Sequence, residues 1–158
     1  MKINFLVDNL GASQLSYYLI KTCNQLVSDG QYQTIIFYDK MSRRNILPLF
    51  ATMHLVEAWG QKGITIATSL STATRLLNFP GPESKLFYIW DFEWIRGPLF
   101  QWDLLSDIFH HPELTLIAPS DTHAKAIFNT FNRMPEYIVD NCNAQQFKEV
   151  FINESVRK

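Results

Sequence analysis

Short apolar runs alternate with longer amphipathic segments along this whole sequence, and this alternation restricts the possible fold more than any other feature. The runs are three to five residues long and rich in β-branched and aromatic side chains, as in strands that are covered on both faces. They lie at Ile3–Val7, Thr34–Tyr38, Ala51–Leu55, Ile64–Thr68, Leu86–Trp90, Leu114–Ala118 and Tyr137–Val139.

Between these runs, apolar residues recur at spacings of three and four, which is the pattern of a helix with one buried face. Helices are predicted at Leu15–Leu26, Ser69–Leu77, Leu99–Phe109, Asp121–Phe131 and Asn143–Phe151. Ser13 and Ser120 are placed to cap two of them, and Gly30 suits the left-handed position after the first. Strands that alternate with helices predict βαβ units. The expected fold is therefore a single α/β domain over residues 1–158, a Rossmann-like three-layer sandwich with a mostly parallel sheet of six to seven strands.

Composition excludes several classes of protein. The net charge is −1, and Lys and Arg are scattered, so a nucleic-acid binder is not expected. The two cysteines have no CxxC partner and no histidine pair has the spacing of a zinc helix, so no metal site is predicted. No apolar run approaches the ~20 residues of a membrane span, and no signal-peptide pattern is present, so we expect a cytoplasmic protein without a membrane span.

A parallel sheet of this kind binds ligands where its strands end at their carboxyl ends. The turns expected at that edge are 8–13, 69–73, 91–97 and 120–123. The first contains Asp8, Asn9 and Gly11, and its single glycine lacks both the GxGxxG and the Walker patterns, so no cofactor is predicted. Its backbone amides could receive an anion, or the segment could simply be a capped strand-to-helix turn.

The segment Trp90-Asp91-Phe92-Glu93-Trp94 is the most unusual in the chain. Two carboxylates stand two residues apart and are framed by three aromatic rings, just past a predicted strand end. Aromatic faces stack on sugar rings, carboxylates accept hydrogen bonds from hydroxyls, and apolar surroundings can raise the pKa of a carboxylate towards that of a general base. Asp91 and Glu93 are therefore the candidate catalytic residues, with Trp90 and Trp94 as ligand contacts. The alternative is a rim of aromatic residues that closes the core or an oligomer interface.

Three further residues are candidates because of where they fall in the predicted turns. Ser69 and Ser120 each follow a strand and precede a helix, and His123 lies in the first turn of the helix that Ser120 caps. We expect all three to face the same cleft as Asp91. The alternative for His123 is a histidine on the surface, beside a Ser120 that caps the helix.

The order of these segments resembles the N-terminal, acceptor-side domain of GT-B glycosyltransferases of the glycogen-synthase-like kind (family 4-like). Three segments carry the similarity: ITIATSLSTATRLL at 64–77, KLFYIWDFEW at 85–94, and 114–151, which holds LTLIAPSDTHAKAIFNTF and PEYIVDNCNAQQFKEVF. The family's glycine-rich first loop is reduced to Gly11, and its C-terminal, donor-binding domain has no counterpart here. The resemblance implies a cleft containing Asp91, Glu93 and Ser120, in which an acceptor hydroxyl would be deprotonated.

Three functions therefore remain open at this point. The first is a glycosyltransferase-like half that binds an acceptor, with a sugar or nucleotide sugar as ligand, and that is not a complete transferase alone. The second is a non-catalytic assembly module whose exposed inter-domain face forms a homodimer or binds a protein partner, as its 14% aromatic content would favour. The third is a small nucleotide- or sugar-phosphate-binding enzyme of another family, which the absence of a phosphate loop disfavours.

Overall fold

Seven parallel strands form one sheet in the computed structural model, which describes residues 1–97 and 101–157. Every neighbouring pair of strands is parallel, as the strand–helix alternation predicts. The strands are β1 (Lys2–Leu10), β2 (Gln33–Met41), β3 (Ala51–His54), β4 (Ile64–Ala67), β5 (Ser84–Tyr88), β6 (Leu114–Ala118) and β7 (Tyr137–Ile138).

The strand order in the sheet is β3-β2-β1-β4-β5-β6-β7, so the direction of winding reverses between β1 and β4. In doubly wound sheets this reversal opens a crevice beyond the carboxyl ends of the two strands. β1 pairs with β4 only as far as Leu6, but it continues beside β2 to Leu10. The crevice therefore has a longer wall on the β1 side than on the β4 side.

The described residues contain five α-helices, arranged in two layers on the faces of the sheet. They are α1 (Gln14–Ser28), α2 (Leu70–Leu77), α3 (Trp102–His110), α4 (Asp121–Phe131) and α5 (Ala144–Val156). α1 and α5 cover one face, where Leu19 and Phe147 belong to the same buried cluster as Phe5 of β1. α2, α3 and α4 cover the other face around Phe87 and Phe109. The fold is thus the three-layer α/β sandwich that was expected.

The element boundaries differ from the sequence-based ones in a few places. β1 and β2 are longer at their carboxyl ends, because their polar residues pair with each other beyond the apolar runs. β5 ends at Tyr88 and not at Trp90, and α5 continues five residues beyond Phe151 to Val156. The predicted start of the third helix at Leu99 lies outside the described residues, and α3 is described from Trp102.

Both cysteines are buried free thiols in the α1–α5 layer, in keeping with the role of small apolar residues. Burial raises the pKa of Cys23 well above its usual value and that of Cys142 to about 12. Cys142 lies in the turn before α5, where Asn141 and Cys142 both adopt left-handed conformations. The buried Tyr88 hydroxyl holds this turn, since it accepts a hydrogen bond from the Cys142 amide (3.2 Å) and donates one to the Val139 carbonyl (2.9 Å).

Candidate functional site

The end of β1 is built mainly by backbone pairing and short polar contacts. Asp8 and Asn9 lie on the strand itself, so the turn is shorter than predicted and spans only residues 11–13. The Asn9 side-chain oxygen lies 3.4 Å from the Ser42 hydroxyl, and a side chain on Gly11 would clash with that hydroxyl at 2.0 Å. Gly11 thus leaves room for the Ser42 hydroxyl in its present rotamer, and Asn9 contacts the same hydroxyl. Asp8 is exposed at the mouth of the crevice.

The turn after β4 satisfies its polar groups internally. The Ser69 hydroxyl accepts a hydrogen bond from the Thr72 amide at 3.1 Å, and the Thr72 hydroxyl accepts one from the Ser69 amide at 3.0 Å. This reciprocal capping box begins α2 and satisfies backbone amides that the helix itself leaves unpaired. Ser69 is buried, so the structure places it in the predicted edge turn with its side chain committed to the helix.

The two tryptophans of the segment after β5 leave the sheet on opposite faces. Trp90 packs beside Tyr18 of α1, with ring centroids 6.0 Å apart. Trp94 packs in the other layer, edge-on to Phe109 and Phe131 at 5.3 and 5.2 Å. Both rings are half-buried. Trp94 therefore anchors the segment to α3 and α4, whereas Trp90 lies on the α1 side of the edge.

The two carboxylates between the tryptophans have different partners. Asp91 forms an ion pair with Arg96 at 2.6 Å and also accepts a hydrogen bond from the Phe92 amide at 2.8 Å. Glu93 begins a 3₁₀ turn over Glu93–Ile95 and accepts a hydrogen bond from the Leu70 amide, the first residue of α2, at 3.1 Å. Glu93 thus brings a negative charge to the positive end of the α2 dipole.

Glu93 is the carboxylate whose ionisation the site alters. Burial raises the pKa of Glu93 above its usual value, and the carboxylates of Asp8 and Asp91 act in the same direction. The Leu70 amide and the Arg96 guanidinium oppose this increase in pKa. Glu93 therefore links the end of β1, the start of α2 and the segment after β5 in one electrostatic group.

The turn after β6 completes this edge of the sheet. Ser120 caps α4, with its hydroxyl 3.2 Å from the His123 amide and 2.9 Å from the His123 Nδ1 atom. The His123 ring stacks on Phe92, with centroids 4.6 Å apart and planes inclined by 30°. Ser120 thus fixes the histidine ring, and the ring in turn contacts the segment that carries Asp91 and Glu93.

The structure therefore brings the four predicted turns to one edge, as the parallel sheet requires. Contacts join three of them directly, through Glu93 to Leu70 and through Phe92 to His123. Gly11 and Ser69 are buried and belong to the framework of this edge. The other candidates are half-buried or exposed: Asp8, Asn9, Trp90, Asp91, Glu93, Trp94, Ser120 and His123.

Sequence reasoning missed two residues of this edge. Arg96 was not considered, although an arginine five residues after Asp91 in a short turn is a reasonable ion-pair partner. Tyr18 was assigned only to the buried face of α1, but its ring also contacts Trp90. That second contact depends on the strand order, which places α1 beside the end of β5, and the spacing of apolar residues does not indicate it.

A separate pocket of about 540 Å³ lies at the opposite, amino-terminal edge, near the starts of β5 and β6. Charged residues from β5, α5 and the loop before β6 line it, and they pair with one another: Lys85 with Glu113, and Arg157 with Glu154, both at 3.0 Å. In the part of the chain that the structure describes, no group of three or more His, Cys, Asp or Glu residues could hold a metal ion. None of the helices at 1–97 and 101–157 is long and apolar enough to cross a membrane.

Comparisons with known proteins give no relative. No family model, no curated protein and no solved structure matches this chain.

Proposed function

We propose that this chain is a glycosyltransferase-like acceptor domain, which binds a neutral, hydroxyl-rich compound of the sugar type at the carboxyl edge of its sheet. The observation that carries the proposal is the group formed by Asp8, Asp91 and Glu93 beside the stacked rings of Phe92 and His123. Carboxylates accept hydrogen bonds from hydroxyl groups, and these charge-assisted bonds are stronger than neutral ones. Partly exposed rings next to them offer apolar faces for a sugar ring.

The chemistry of the edge favours a neutral ligand over a phosphorylated one. A helix N-terminus is a ready-made site for a phosphate, but the Leu70 amide at the start of α2 already bonds the Glu93 carboxylate. The His123 amide at the start of α4 is bonded to the Ser120 hydroxyl. A phosphate at α2 would displace Glu93 and meet the charges of Asp8 and Asp91. This arrangement supports an acceptor sugar, with a nucleotide sugar held by another chain or domain.

Within this proposal the two carboxylates have distinct roles. Glu93 is the proton acceptor, because its surroundings raise its pKa and so strengthen it as a base. Asp91 is held by Arg96 and orients a hydroxyl without taking its proton. The domain alone does not enclose two substrates, and transfer would need a donor-binding partner that closes the cleft.

The test is a calorimetric titration of the protein with two panels, neutral oligosaccharides and nucleotide sugars. We expect binding within the neutral panel, weakened about tenfold by Asp91→Asn because one charge-assisted hydrogen bond loses its charge. Glu149→Gln, an exposed change on α5, is the matched control and should leave affinity unchanged. Binding confined to nucleotide sugars would contradict the proposal, and so would an affinity that Asp91→Asn leaves intact.

The second candidate, a non-catalytic assembly module, is favoured by exposed apolar side chains in the segment after β5 and on the two helices that follow it. Ile95, Trp102 and Phe128 are all exposed, and Trp102 stacks on Phe131 with centroids 5.2 Å apart. Contiguous exposed apolar surface is typical of protein contacts. If no compound in either titration panel bound, this candidate would be favoured.

A further inference from the structure

An apolar pocket of about 320 Å³ lies between the 3₁₀ turn that follows β3 and the end of α2. The residues that line it are Leu55, Val56, Trp59, Arg75 and Phe79. Leu55 and Phe79 are buried and belong to the core of the α2 layer, whereas Val56 and Trp59 are more than half exposed. A cavity of roughly 150 Å³ with apolar walls already holds benzene. The pocket is therefore large enough for a compound of two fused rings.

The two chain segments that carry the aromatic rings of this pocket are fixed against each other. Trp59 lies edge-on to Phe79, with ring centroids 5.5 Å apart and planes inclined by 60°. A Cβ atom on Gly81 would lie 2.4 Å from the carbonyl carbon of Gly60, so the backbones of the two segments are in close contact there. The pocket is thus formed before a ligand binds, and binding loses less conformational freedom.

Arg75 adds a positive charge to this apolar lining. Among the described residues that line the pocket, no other carries a charge. The Arg75 Nη1 atom donates to the Asp39 carboxylate at 3.2 Å, and in residues 1–97 and 101–157 no second acceptor bonds the Arg75 side chain. A guanidinium carries several N–H donors in a planar fork, which fits a carboxylate through paired hydrogen bonds. Most of these donors therefore remain available to a ligand.

The rings and the charge together indicate which compound fits the pocket. Trp59 and Phe79 offer the edge-to-face and offset contacts that a flat aromatic ring prefers. Asp39 and Arg75 are both partly exposed, and an ion pair of this kind is weak because water screens it. The guanidinium can thus bind a second carboxylate. A phosphate carries more negative charge, and Asp39 would repel it more strongly.

We propose that this pocket binds a small aromatic carboxylate, whose rings lie against Trp59 and Phe79 and whose carboxylate accepts hydrogen bonds from the Arg75 guanidinium. Burial of the exposed Trp59 ring supplies most of the affinity, and the guanidinium selects the acid over neutral compounds of the same shape. None of the residues that line the pocket belongs to the proposed saccharide site, so this inference does not depend on the proposed function.

The test is calorimetric titration of the full chain with naphthoate and with naphthamide, its neutral analogue of the same shape. We expect naphthoate to bind about tenfold more tightly, because its bonds to the guanidinium are charge-assisted. Arg75→Gln should lower the affinity for naphthoate to that for naphthamide and leave the latter unchanged. Asp39→Asn should raise the affinity for naphthoate roughly threefold, because it removes a repelling charge. Trp59→Ala should weaken both compounds.

Lys21→Gln is the matched control, because it removes one positive charge from an exposed position on α1, in the opposite layer. It should leave both affinities unchanged, and circular dichroism should show every variant folded. The proposal is overturned if neither compound binds, or if naphthamide binds as tightly as naphthoate. It is also overturned if Asp39→Asn weakens naphthoate, or if Lys21→Gln weakens it as much as Arg75→Gln does.

Discussion

The turn after β4 and the segment after β5 leave the same edge of the sheet side by side, yet their polar side chains differ in burial. In the first, Ser69 and Thr72 cap each other and are buried. In the second, Asp91 and Glu93 remain half-buried at the surface, although Glu93 reaches across to the Leu70 amide. A position at the ligand-binding edge of a parallel sheet is therefore not enough to identify a binding residue. What distinguishes the two is burial: the Ser69 and Thr72 side chains are enclosed together with their partners, whereas the Asp91 and Glu93 carboxylates stay within reach of solvent.

The largest expected effect tests whether Trp94 anchors the segment after β5 to the rest of the domain. Trp94→Ala should lower the free energy of unfolding by about 3 kcal/mol, because it removes a large ring packed on Phe109 and Phe131. Urea denaturation followed by circular dichroism measures this. The neighbouring Ile95→Ala, at an exposed position, is the control and should change stability by less than about 0.5 kcal/mol. Equal effects of the two changes would mean that Trp94 does not anchor the segment.

The next effect concerns the turn after β4. Ser69→Ala should lower the free energy of unfolding by about 1–2 kcal/mol, because it removes the N-cap of α2 and half of the capping box. It should leave saccharide affinity unchanged. Ser71→Ala, exposed in the first turn of the same helix, serves as the matched control in urea denaturation. A loss of saccharide affinity without a loss of stability would assign Ser69 to the ligand instead.

The smallest effect sharpens the role of Glu93. Because its pKa is raised in the folded protein, its contribution to stability is complete below the usual value of 4.5 and is lost as pH rises through the folded-state pKa. Glu93→Gln keeps an oxygen for the Leu70 amide but removes the charge. The stability of the variant relative to wild type should therefore increase as pH rises from about 4.5, whereas at lower pH the two should agree.

Urea denaturation at a series of pH values measures this difference, with Glu149→Gln as the exposed control. Curves of stability against pH that run parallel for wild type and Glu93→Gln would show that the surroundings of Glu93 do not alter its ionisation.

The fold could be predicted from the sequence, because buried parallel strands require continuous apolar runs. Such runs are visible around Phe5 in β1 and around Leu116 in β6. The extension of β1 through Asp8 and Asn9 could not, since their pairing with β2 depends on two polar segments meeting in space. Ser120 was correctly predicted as a helix cap, because a cap is a local signal. Ser69 was predicted as the first residue of its helix and is the cap one residue before it.

The candidate site was predictable only in part. That the turns share one edge follows from parallel strands. The partners within that edge do not: the Glu93–Leu70 bond joins residues 23 apart in sequence, and the Phe92–His123 stack joins two different turns. Such contacts depend on the order of strands in the sheet and on side-chain directions. The spacing of apolar residues along the sequence indicates neither. The same is true of the divergence of Trp90 and Trp94 to opposite faces.

The layer formed by α1 and α5 joins segments that are remote along the chain. The Thr22 hydroxyl of α1 bonds the Cys142 carbonyl, 120 residues away, in the turn that precedes α5. Folding of this half must therefore wait for a contact between distant parts of the polypeptide, which is intrinsically slow. Until α5 arrives, Phe5 of β1 lacks the Phe147 ring that packs edge-on against it, with centroids 5.6 Å apart. A fragment truncated before α5 would consequently be prone to aggregation, even though it keeps every strand of the sheet.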